Sequence, residues 1–221
     1  MDDDIRSLFS PAPGMAYLDS ATYGLPPEPT IRAMRRALDA WQTGTADWQA
    51  DWDRPAEAAR ASFAQLIGSS SDRVALMPAV SVGVGLVAAA LGPGDEVVVP
   101  ADEFTSTLFP LLVAGERGAA VREVAFERLP EEIGPRTTLV AFSLVQMQTG
   151  RVAPIAAILE RASAVGAKVL VDVTQGVPFV SLAGLIERID YLVCAAYKHL
   201  LCPRGVAFLA VAVLQPMYTI A

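Results

Sequence analysis

The chain of 221 residues is 53% hydrophobic and carries 24 acidic against 17 basic residues, a net charge of −7. That is enough apolar material for a substantial core, in one domain or in one domain with a small appendage, and it excludes a disordered chain. The acidic balance, without clustered Lys or Arg, excludes a generic nucleic-acid or anionic-membrane surface.

The chain opens on Met1-Asp2-Asp3-Asp4, acidic where a signal peptide is basic, and no later apolar run approaches the roughly 20 residues that span a bilayer. Its only cysteines, Cys194 and Cys202, are too few for a disulfide framework, so a soluble protein of a reducing cytoplasm is expected, with no membrane or nucleic-acid partner. Segment 19–29 is a loop dense in Pro and Gly. From Glu28 to Leu66 the pattern predicts two helices broken near Gly44 and Pro55. Trp41, Trp48 and Trp52 recur there at roughly helical spacing and read as packing or interface residues rather than a ligand box.

Strands are expected at 73–78, 96–100, 120–126, 138–146, 168–174, 191–197 and 206–213. Most are separated by helical stretches such as 154–166, whose Ile155, Ile158, Leu159 and Ala162 share one face. Several strands are continuously apolar, as a sheet covered on both faces requires. The expected fold is therefore α/β: a mostly parallel seven-stranded sheet with helices on both faces, preceded by an N-terminal helical segment. The expected organisation is an N-terminal loop and helices over 1–70, a large domain over 71–214, and a tail over 215–221 where a small C-terminal domain would otherwise begin.

The chemically suggestive residues fall just past the carboxyl ends of these strands, where open α/β sheets bind ligands. Ser81 follows the first strand; with the first N–H groups of its helix it makes an anion site, or else it is a helix N-cap. Phe104 follows the second, either to stack on a flat ring or to fill core. Gln146 offers a donor and an acceptor, either to a phenolic oxygen or to solvent. Asp172 sits in the apolar frame Val171-Asp172-Val173, where a carboxylate is costly unless a cation or hydrogen bonds compensate it. Lys198, one of two lysines in the chain, stands between an apolar strand and Leu200-Leu201, where partial desolvation favours a neutral, nucleophilic amine. A lysine amine and a carboxylate at adjacent strand ends are what pyridoxal phosphate requires of a protein: a Schiff-base partner and an anion for its pyridinium nitrogen. A structural Asp–Lys ion pair is the plain alternative.

Ser81 with its helix and the segments 102–110, 143–150, 171–175 and 195–205 together resemble the class V aminotransferase-type proteins, fold type I enzymes that use pyridoxal phosphate. The resemblance is strongest to the branch with isopenicillin N epimerase-like and kynureninase-like members. The opening run Tyr17-Leu18-Asp19-Ser20-Ala21-Thr22-Tyr23-Gly24, followed by Pro26 and Pro27, resembles that family's N-terminal active-site loop. The resemblance implies a homodimer acting on an amino acid or amine through an external aldimine, in transaminase, epimerase or lyase chemistry.

It also implies roles. Lys198 is expected to carry the cofactor and shuttle protons, Asp172 to hold the pyridinium, and Phe104 to stack on the ring. Gln175 and Gln146 are expected near the phenolic oxygen, and Val80, Ser81, Val82 and the Tyr197 hydroxyl at the phosphate. The chain departs from the related cysteine desulfurase pattern in having Ala195 and Tyr197 before the lysine, and Phe104 where a His stacks. The family's smaller C-terminal domain, which usually supplies a substrate-gripping Arg, is expected to be absent. A truncated scaffold or dimerisation module is therefore an alternative. A second is a dinucleotide-binding Rossmann domain, from Gly83-Val84-Gly85-Leu86-Val87-Ala88 and Asp102, although those glycines fall inside the helix rather than in the turn before it.

Overall fold

A computed structural model describes residues 3–212. Val213, expected to close the last strand, and the tail 215–221 lie outside the described residues. The strands are β1 (Val74–Met77), β2 (Glu96–Pro100), β3 (Ala120–Val124), β4 (Thr137–Ser143), β5 (Lys168–Asp172), β6 (Tyr191–Ala195) and β7 (Ala207–Val211). They form one seven-stranded sheet in the order β1-β7-β6-β5-β4-β2-β3. Only β7 runs against its neighbours; the other pairings are parallel.

The helices are α1 (Asp3–Arg6), α2 (Glu28–Thr43), α3 (Arg54–Ile67), α4 (Val80–Ala89), α5 (Thr105–Glu116), α6 (Leu129–Glu132) and α7 (Ile155–Val165). Alternate residues along each strand point to opposite faces, so the sheet divides the core in two. On one face Val140, Phe142, Val171, Leu192 and Phe208 pack against α3 and α7. On the other, Leu139, Ala141, Leu170, Val193 and Leu209 pack against α4 and α5. Phe63 of α3 stacks on Phe208 of β7, ring centroids 4.1 Å apart, which fixes α3 to the antiparallel strand. The edge strand β3 carries Arg122 and Glu123, charges that blunt an open edge.

Two expectations are corrected. Helix α4 begins at Val80, with Ala79 as its N-cap, so Ser81 lies in the first turn and caps nothing. Gly83 and Gly85 lie within that helix, as their place in the sequence implies; a Cβ on Gly83 would come within 3.1 Å of Val193, so close packing on β6 accounts for that glycine and no glycine turn precedes the helix. Of the two roles expected for Trp41, Trp48 and Trp52, core packing is not met: they are exposed, two of them meeting edge to face, and α2 buries no residue at all. Gly44 ends α2 at φ 70°, a left-handed conformation that glycine adopts without strain. Among the described residues no helix is long and apolar enough to cross a membrane.

Candidate active site

Parallel neighbours deliver their carboxyl ends to one edge of the sheet, and an open cleft of about 550 Å³ lies there. Asp172, the last residue of β5, pairs in register with Val193 on β6 and with Ser143 on β4. Lys198 lies three residues past the end of β6, so adjacent parallel strands deliver lysine and carboxylate to the same edge. Val80, Phe104, Gln175 and Tyr197 also line the cleft.

Asp172 is 4% exposed. Its Oδ1 accepts a 2.8 Å hydrogen bond from the Thr174 N–H, whereas Oδ2 has only a 3.5 Å contact from the Thr107 hydroxyl. Burial pushes its pKa up, opposed by Thr174, by the Lys198 charge and by Thr107. Thr174 also accepts from the Ala195 N–H at 2.8 Å, tying the exit of β5 to the end of β6. Lys198 is 7% exposed, its Nζ 5.1 Å from the Phe104 ring centroid. Burial lowers its pKa; Asp172 opposes that and Arg204 adds to it. Among the described residues no salt bridge joins Lys198 to Asp172, and the two groups influence each other across the cleft without closing into a pair.

An aromatic face, a buried amine and a carboxylate oxygen with one long contact fit a flat heteroaromatic ring bearing a protonated nitrogen and an aldehyde. At the end of α4 nearest the cleft, the N–H groups of Val82 and Gly83 turn back to the Ala79 carbonyl, leaving those of Val80 and Ser81 for an anion. Val82 is exposed, and neither it nor Ser81 lines the cleft.

The two glutamines are both occupied. Gln146 is buried away from the cleft lining; its Oε1 accepts from Gln148 N–H, Thr149 N–H and Thr149 hydroxyl, and its Nε2 donates to the Asp102 carbonyl. Gln175 lines the cleft, but its Nε2 donates to the Ala21 carbonyl and its Oε1 meets His199 Nε2 at 2.8 Å. The Arg204 guanidinium lies over the Tyr197 ring at 4.9 Å. The N-terminal loop reaches the site as well: the Gly24 N–H donates to the Tyr197 carbonyl at 2.8 Å. Sequence reasoning missed Glu103, a buried carboxyl one residue before Phe104. The sequence shows an acid beside the expected stacking ring but nothing of its burial, which Ser143 on β4 completes.

The family model described as aminotransferase class-V matches residues 16–217. Isopenicillin N epimerase of Streptomyces clavuligerus is 35% identical over 171 residues, 70% of this chain and 42% of that protein. Cysteine desulfurase CsdA of Escherichia coli K12 is 29% identical over 213 residues, 87% of this chain and 53% of that protein. The crystal structure of CsdA from Escherichia coli superposes with a TM-score of 0.78 at 27% identity, covering 95% of this chain and 57% of that one. A C-DES mutant with glycine covalently linked to its pyridoxal phosphate cofactor superposes with a TM-score of 0.81 at 21% identity, covering 93% of this chain and 59% of that one, a likeness of fold. The chain thus spans about half the length of the curated relatives it matches.

Proposed function

The chain belongs to the aminotransferase class-V family, whose cofactor is pyridoxal 5'-phosphate, and from that premise we propose that its cleft binds this cofactor on Lys198 to act on an amino acid or amine. The observation that carries the proposal is the buried lysine and buried aspartate at the ends of adjacent parallel strands, facing each other without an ion pair and roofed by Phe104. When bound, the cofactor supplies an aldehyde that condenses with amines and a ring that accepts electrons from the substrate α-carbon.

The residues divide the remaining work. Lys198, desolvated toward its neutral form, is nucleophilic at Nζ and carries protons to and from the carbon beside the substrate nitrogen. Asp172 Oδ2 holds the proton on the ring nitrogen, and the charge gained there offsets the burial of the carboxylate. Phe104 presents its face to the ring and excludes water from one side. The free N–H groups of Val80 and Ser81 and the Tyr197 hydroxyl bind the phosphate; Val82 supports that turn through the chain rather than by contact. Gln175 is the amide on hand for the phenolic oxygen, because it lines the cleft; Gln146 serves only by bracing its own turn.

A homodimer is part of the proposal. Val82, Leu86, Phe109 and Val113 on α4 and α5 are exposed apolar side chains, more than a solvated helix surface normally presents. Titrating the protein with pyridoxal phosphate tests the site: wild type is expected to gain a visible absorbance band, Lys198→Ala to lose it, and Asp172→Ala to bind at least about tenfold more weakly. A band of equal strength in Lys198→Ala would refute the assignment.

A further inference from the structure

The buried acid beside Phe104 has no part in the assignments above. Glu103 is 8% exposed. Its Oε1 accepts from the Phe104 N–H at 2.7 Å and from the Ser143 hydroxyl at 2.5 Å, and its Oε2 accepts from the Ser143 N–H at 2.7 Å. Three donors converging on both oxygens is the environment of a carboxylate, not of an acid that must itself donate. An amide of the same size could accept on one side only.

Each donor belongs to the cleft. Phe104 is the N-cap of α5 and receives no side-chain cap of its own; the Glu103 carboxylate fixes its N–H and so the origin of its ring. Ser143 ends β4 opposite Asp172, which puts one serine between two buried carboxyl groups. The charged group facing Glu103 is Asp172; those acting on Lys198 are Asp172 and Arg204, with the Cys194 thiol. Burial and then the Asp172 charge push the Glu103 pKa up while Ser143 and the Phe104 N–H pull it back.

We infer that Glu103 is a positioning residue of the cleft, holding the Phe104 ring over the Lys198 amine and placing a second negative charge beside Asp172. The inference rests on the pyridoxal phosphate reading. A second carboxylate near the cofactor strengthens the hold on every proton in the cleft, so its removal lets those protons leave at lower pH.

The test is the pH titration of the visible absorbance of the full chain loaded with pyridoxal phosphate, alongside cofactor affinity and thermal unfolding. Glu103→Gln is expected to move the titration midpoint down by about half a unit or more and to weaken affinity several-fold. Glu103→Asp, which keeps the charge but cannot reach all three donors, is expected to restore the midpoint and not the affinity. A Glu103→Gln protein that loses affinity and melts earlier with an unchanged midpoint would overturn the electrostatic part and leave a merely structural acid. If Glu103→Gln does not fold, Ser143→Ala replaces it: losing one donor, Glu103 takes up a proton more readily, and the midpoint must again move down. An unchanged midpoint there also overturns the inference. Wild type without a lysine-dependent band overturns the cofactor reading and this inference together; a wild type that loads, with unmoved variants, overturns this inference alone.

Discussion

The two lysines of this chain are driven in opposite directions by their surroundings. Lys168 donates to Asp190 at 2.8 Å and its pKa rises; Lys198 is buried and its pKa falls. Amine acylation needs the neutral form, so the pH midpoint of labelling is expected to be lower for Lys198 than for Lys168, read by peptide mass spectrometry; the reverse order would contradict the desolvation argument. Asp172 has the complementary sign. Its folded pKa is raised above the unfolded value, so its ionisation costs stability that is intact below the unfolded pKa and lost as pH rises through the folded one. Asp172→Asn is therefore expected to melt higher than wild type at neutral pH without cofactor, with the difference closing in acid, while binding cofactor more weakly. Asp172 and Lys198 were legible in the sequence because ionisable groups in apolar frames demand a reason. Glu103 was not, because its burial depends on Ser143 from another strand, and Gln146 was over-read because a turn at Gln148 and Thr149 consumes its amide.

Between elements, the N-terminal loop bears directly on the lysine segment. A Cβ built on Gly24 would lie 2.3 Å from the Lys198 carbonyl oxygen and 2.4 Å from Leu201, so no side chain fits without displacing the backbone that carries Lys198. Gly24→Ala is expected to weaken cofactor binding at least about tenfold, since displacements near 1 Å at a site have effects of that size or more, while Gly85→Ala, which meets nothing within 4 Å, leaves binding unchanged. Strand positions were readable because fully buried parallel strands are continuous apolar runs. The reversal of β7 was not, because Ala207–Val211 is equally apolar in either direction and only pairing with β1 and β6 fixes it. The start of α4 at Val80 has no signature in the sequence, because Ala79 caps it without a side-chain bond.

At the scale of the molecule, the sheet is the rigid plate that brings β4, β5 and β6 to one edge. Phe142, fully buried at its centre, shares β4 with Ser143; Phe142→Ala is expected to cost about 3–5 kcal/mol in denaturant unfolding. The exposed apolar faces of α4 and α5 lead to a second expectation: Leu86→Asp with Phe109→Asp lowers self-association in sedimentation without lowering stability. Self-association unaffected by that pair would place the interface elsewhere. The central claim is that one of two lysines is the cofactor's anchor, and the direct measurement is peptide mapping after borohydride reduction of the protein mixed with pyridoxal phosphate. The account predicts one reduced adduct, on the peptide containing Lys198; an adduct on Lys168 alone, or none, would contradict it.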